Sequence, residues 1–172
     1  MTLRFAQKED CAAIAEIYNH AVVNTAAIWN DKTVDVENRL AWFAARQQAG
    51  FPVLVSEEDG QVTGYASFGD WRAFDGFRHT VEHSVYVHPQ HQGKGIGRLL
   101  LTALIEEARR TGKHVMVAGI ESQNHASLHL HHQLGFVITA QLPQVGTNFG
   151  RWLDLTFMQL QLDDRRDPDA IG

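Results

Sequence analysis

Apolar and polar positions change their period several times along the chain, and those changes divide it into elements. Thr2 to Ala6 reads as a short strand. From Asp10 the period becomes helical, with Ala13, Ile14, Ile17 and Ala21 on one face. A second helix is predicted over 34–49, where Val36, Leu40, Phe43 and Ala44 form the apolar stripe. Strands are predicted over 52–56 and 62–68, joined by Glu58-Asp59-Gly60, whose glycine tolerates the positive φ of a tight hairpin. A loop with glycine and aromatic residues (69–76) leads into the β-prone run Thr80 to His88. Pro89 ends that run, since proline cannot donate to a sheet ladder.

A long amphipathic helix follows over 95–111, with Gly97, Leu101, Leu104 and Ala108 on one face and Gly112 as its cap. A strand over 114–119, a short helix over 124–134 and strands over 136–141 and 151–162 complete the chain. The order β-α-α-β-β-β-α-β-α-β-β mixes hairpins with crossovers. It predicts an α/β (α+β) fold, a single mixed, largely antiparallel sheet flanked by helices on both faces, with a parallel pair in the middle. One domain is expected over 1–162, followed by a charged tail, 163–172, expected to be disordered.

Composition narrows the class. A chain of 172 residues with 44% hydrophobic and 20% charged side chains has enough apolar material for one proper core. The formal net charge of −5 argues against a nucleic-acid partner, which would call for basic patches. A single cysteine, Cys11, forms no internal disulfide, and no apolar stretch reaches signal-peptide or membrane-span length. The expectation is a soluble, cytoplasmic protein. His125 and His129 have the spacing of a zinc pair, but no cysteine or zincin glutamate accompanies them, so no metal is expected.

The most informative segment runs from Val85 to Arg98. A strand stops at Pro89, the alternating glycines Gly93, Gly95 and Gly97 follow, and a helix starts at once. Glycines let the main chain turn tightly and approach a ligand. At a helix start the free N–H groups and the dipole favour an anion, and Lys94 and Arg98 add positive charge. The chemistry points to a pyrophosphate; a plain strand-to-helix turn is the alternative. A P-loop is excluded because Ser or Thr does not follow a Gly-Lys pair, and a dinucleotide fold because the turn lies past the middle of the chain.

Gln92-x-x-Gly95-x-Gly97 after His88-Pro89 resembles the acetyl-CoA-binding motif of the GCN5-related N-acetyltransferase superfamily. Asn124-His125-Ala126-Ser127, His131 and Leu134-Gly135-Phe136 resemble its later helix-and-strand motif. Phe77 to Val87, Ile17 to Val22 and Phe149 to Asp154 are similar to the phosphinothricin and methionine sulfoximine acetyltransferases. The likeness spans about Leu3 to Leu162. It implies acetyl transfer from acetyl-CoA to the α-amino group of a small amino acid, by direct attack in a ternary complex, in a detoxifying homodimer.

The resemblance also implies residue roles. Val85, Tyr86 and Val87 would pair with the pantetheine arm, Gly93, Lys94, Gly95, Ile96, Gly97 and Arg98 would hold the pyrophosphate, and Asn124 would bind near the thioester. Arg72, Ala73, Phe74, Glu82, His83 and Ser84 would meet the acceptor. An ammonium must lose its proton before it attacks, and Glu82, a carboxylate in a β-branched run, is the candidate base. Its alternative is an ion pair with Arg72 or Arg78. Arg72 is the candidate for the acceptor's carboxylate, with Arg78 competing for that role. His131 occupies the place where a tyrosine acid often stands, as either an acid or a satisfied core histidine. An acceptor of another kind (a protein N-terminus, a lysine or a polyamine) and a non-catalytic acetyl-CoA sensor remain as alternatives.

Overall fold

The computed structural model describes residues 1–170, so the last two positions of the expected charged tail lie outside the described residues. The elements follow the predicted order: β1 (Thr2–Phe5), α1 (Cys11–Asn24), α2 (Val36–Ala49), β2 (Val53–Glu58), β3 (Gln61–Asp70), β4 (Thr80–Val87), α3 (Ile96–Arg110), β5 (Val115–Glu121), α4 (His125–Gln133), β6 (Val137–Asn148) and β7 (Arg151–Gln161). Hydrogen-bonded neighbours run β1-β2-β3-β4-β5-β7-β6. The β1–β2, β2–β3, β5–β7 and β6–β7 pairs are antiparallel, and the β4–β5 pair is parallel. Through the chain this is the mixed, largely antiparallel sheet that the pattern predicts.

The chain forms two compact units, Met1–Phe68 with Ser84–Leu104, and Gly69–His83 with Ile105–Gly172. In the first, strand alternation assigns the faces. Val55 and its partner Tyr65 join Ile14, Ile17 and Phe43 in a core beneath α1 and α2. The next pair, Ser56 and Gly64, turns the other way, towards Leu100 of α3. Helices therefore cover both faces of these strands. A Cβ at Gly64 would come within 2.9 Å of the Leu100 side chain and 3.0 Å of the Tyr86 carbonyl, so only glycine lets β3 lie this close to β4 and α3.

Cys11 is fully buried, and its Sγ is 3.7 Å from the Arg39 carbonyl. Burial pushes its thiol pKa up, which leaves an inert core side chain. α2 begins with the Asp35 carboxylate accepting the Asn38 N–H at 2.8 Å. In the second unit, the last turn of α3 is tied to the chain beyond β7 by the Arg109 guanidinium donating to the Leu162 carbonyl at 3.1 Å.

Candidate active site

In the first unit, β4 ends at Val87 and the chain turns through His88, whose Nδ1 accepts the Gln90 N–H at 3.1 Å. Gly93 and Gly95 both sit at φ 78°, a left-handed conformation that side chains disfavour. A Cβ at either position would meet nothing within 4 Å, so the space above them is open. Gly93, Lys94, Gly95 and Arg98 are exposed, and Ile96 is buried as the anchor of the first turn of α3. A Cβ at Gly97 would stand 3.7 Å from Val87, which keeps the helix start against the strand end. Open main chain at positive φ, leading into a helix start, fits a pyrophosphate. Ser84, Val85, Tyr86 and Val87 are half-buried along the same stretch of β4.

In the second unit, the β4–β5 ladder comprises Thr80–Val115, Val81–Met116 and Glu82–Val117, so Glu82 stands at its last step. The Glu82 carboxylate makes no hydrogen bond or ion pair among the described residues, which leaves the ion-pair alternative without support. Oε2 lies 3.4 Å from the place a Cβ at Gly119 would occupy. Burial raises the pKa of Glu82, and the positive field of Arg72 pulls partly the other way.

Arg72 lies in the exposed loop after β3, its guanidinium 4.4 Å from the Trp71 ring centroid and 3.3 Å from the Trp71 carbonyl. It pairs with no carboxylate among the described residues. Arg78, the competing arginine, is committed to Asp169 at 2.7 Å. Ala73 is exposed, Phe74 is 79% exposed, and Phe77 packs edge-on against Trp71 at 5.4 Å.

His83 of β4 and His131 of α4 form a pair. Their rings stack at 5.0 Å, 8° from parallel, with Nε2 to Nε2 at 2.9 Å. His131 is 4% exposed, and its Nδ1 lies 2.7 Å from the Ser127 carbonyl. A carbonyl only accepts, so His131 carries its proton on Nδ1. Burial lowers both imidazole pKa values, that of His83 to about 3 with His131 adding to the effect, so both rings are neutral. Nε2 of His131 then accepts and Nε2 of His83 donates. This leaves Nδ1 of His83 as an enclosed acceptor without a partner. The available signal was a strand histidine and an inward helix histidine, a pairing that only tertiary packing makes.

Asn124 caps α4, its Oδ1 accepting the Ser127 N–H at 3.2 Å. His125, His129 and His132 are exposed, as their helical stripe predicts. Among the described residues no group of three or more His, Cys, Asp or Glu side chains could hold a metal ion. No described helix is long and apolar enough to cross a membrane.

An open glycine turn that leads into a helix start is compatible with the phosphates of a CoA-type cofactor. The chain belongs to the acetyltransferase (GNAT) family, whose model matches residues 14–136. It is 80% identical to the L-amino acid N-acyltransferase MnaT of Escherichia coli (strain K12), over 100% of both chains. It is 78% identical to the L-methionine sulfoximine/L-methionine sulfone acetyltransferase of Salmonella typhimurium, over 99% of both. An acetyltransferase structure from Salmonella typhimurium, solved with its cofactor acetyl-CoA, superposes with a TM-score of 0.96 at 77% identity, covering 99% of this chain and 98% of that one.

Proposed function

We propose that residues 1–162 act as an N-acetyltransferase domain that moves acetyl from acetyl-CoA to the α-amino group of a small amino acid of the methionine sulfoximine, methionine sulfone or phosphinothricin type. The observation that carries this reading is the Glu82 carboxylate, raised in pKa by burial and without an ion pair among the described residues, with the field of Arg72 acting on it. One group takes a proton from an ammonium, and the other offers a bidentate fork for the same molecule's carboxylate.

The main-chain N–H groups of Gly93 to Arg98 hold the pyrophosphate, and Val85, Tyr86 and Val87 offer main-chain groups to the pantetheine arm. Asn124 binds near the thioester. Arg72 fixes the acceptor carboxylate, Ala73 and Phe74 meet its side chain, and His83 and Ser84 flank it. Glu82 takes the proton of the acceptor ammonium directly or through a water. The amine nitrogen then forms its bond to the acetyl carbon as the carbon–sulfur bond breaks. The amine's second proton leaves, the thiolate takes up one proton, and the net products are amide, free thiol and one proton. His131 has both ring nitrogens engaged, which favours a supporting role over that of acid. The exposed apolar residues of β6 and β7, among them Val137, Ile138 and Trp152, favour a homodimer formed through that sheet edge.

Free-thiol release against a panel of amines tests the acceptor. Turnover is expected with methionine sulfoximine, methionine sulfone and phosphinothricin, and not with peptides or polyamines. Arg72→Ala should raise the acceptor KM by about tenfold or more, the loss of a charge-assisted pair. Turnover with peptides that survives Arg72→Ala would replace the acceptor. Silence across the panel with acetyl-CoA still binding would favour a sensor.

A further inference from the structure

Gly119 stands in the middle of β5, between the buried residues Ala118 and Ile120, yet is itself exposed. Glycine inside a strand costs roughly 0.5–1 kcal/mol relative to alanine, so its place there calls for a reason. The three usual reasons are absent. Its φ is not positive, so no side chain would be strained. The β5–β7 ladder passes through Gly119–Phe157 without a register shift, so there is no bulge. Its nearest neighbours would meet a Cβ at 3.4 Å (Glu82 Oε2), 3.6 Å (Leu155 Cδ1) and 3.6 Å (Phe157 Cε1), all ordinary contacts with side chains. The fold would therefore accept alanine.

What alanine would change is the room beside the Glu82 carboxylate. We infer that Gly119 is a positioning residue for the Glu82 base, its bare main chain forming the floor on which the acceptor amine comes up against Oε2. A methyl group there would stand between the amine and the carboxylate. The inference rests on Glu82 being the base.

Arg72 is the charged group whose field acts on this carboxylate. The Gly119 Cβ position that Oε2 approaches is otherwise flanked by Leu155 and Phe157 of β7, and the ladder partner of Glu82 on β5 is Val117, none of which titrates. A methyl at position 119 would remove water from the carboxylate with no new charge to compensate, so it should favour the protonated form further.

The test compares wild type, Gly119→Ala and Glu82→Gln with methionine sulfone as acceptor, reading kcat/KM against pH together with Tm. For Gly119→Ala we expect the acceptor kcat/KM to fall about tenfold or more, a misplacement effect at the reacting group. We expect the acidic limb to move up by roughly half a unit, acetyl-CoA affinity to hold, and Tm to stay or rise because alanine suits a strand better than glycine. That combination separates a site effect from a loss of fold. Unchanged kcat/KM and acidic limb in Gly119→Ala, with Glu82→Gln inactive, would overturn this inference and leave Glu82 as the base. Full activity in Glu82→Gln would overturn both.

Discussion

The stacked histidine pair shows how one residue's chemistry depends on another's. His131 is held in one tautomer by the Ser127 carbonyl and therefore dictates that of His83. Both pKa values are depressed in the fold, whereas in the unfolded chain they titrate near 6.5. The unfolded state thus binds more protons below that value. The contribution of the pair is complete above about pH 6.5 and is lost as pH falls, at about 1.4 kcal/mol per unit for each histidine, towards about 3 for His83. Glu82, with a raised pKa, acts in the opposite sense, so a comparison of variants isolates the effect. Urea midpoints at pH 7.5 and pH 5 should fall less in His83→Phe than in wild type. An equal fall would mean that the pair titrates normally. None of this was legible in sequence, where His131 was open between acid and core residue and His83 was a strand position near the acceptor. Glu82 and Arg72 were legible as candidates because a carboxylate in a β-branched run and an arginine among aromatics both call for partners. The structure adds that neither forms an ion pair among the described residues, although the field of Arg72 acts on Glu82.

At the level of elements, the glycine turn was the clearest passage in the sequence, because the conformations it needs are ones that glycine alone adopts freely. Gly93 and Gly95 hold them in the fold. β6 was the least clear. The predicted strand stopped at Gln141 ahead of Pro143, yet β6 runs from Val137 to Asn148. The ladder shifts register between Leu142 and Gly146, Gln144 takes φ 56°, and its N–H is donated to the Asp154 carboxylate at 2.7 Å. The proline is absorbed at an irregularity of the last strand in the sheet, where a missing donor costs little. The point at which the β4–β5 ladder ends was also beyond sequence, since Thr80 to His88 reads as one uniform strand. That end is what leaves Glu82 at the last paired step.

At the level of the whole molecule, fold class was legible because hairpin and crossover signals came in an order few architectures share, and the glycine turn lay at one of the crossovers. Assembly was less so. Trp152 is legible in sequence as an exposed candidate for a contact and is 66% exposed, but the sequence does not show that it sits on the strand next to β6, the last strand of the sheet. If that edge joins two copies, sedimentation should give twice the 19.3 kDa chain mass, and Trp152→Glu should lower it to one chain. A wild-type monomer would remove the dimer proposal. The claim on which the rest depends is that Glu82 is the base for acetylation of a small amino acid. The direct measurement is thiol release with methionine sulfone across pH for wild type and Glu82→Gln, alongside acetyl-CoA binding. A fall in kcat of about 10²–10⁴ with the acidic limb lost and acetyl-CoA affinity intact is the expected result. Equal rates and superimposable pH profiles would contradict it.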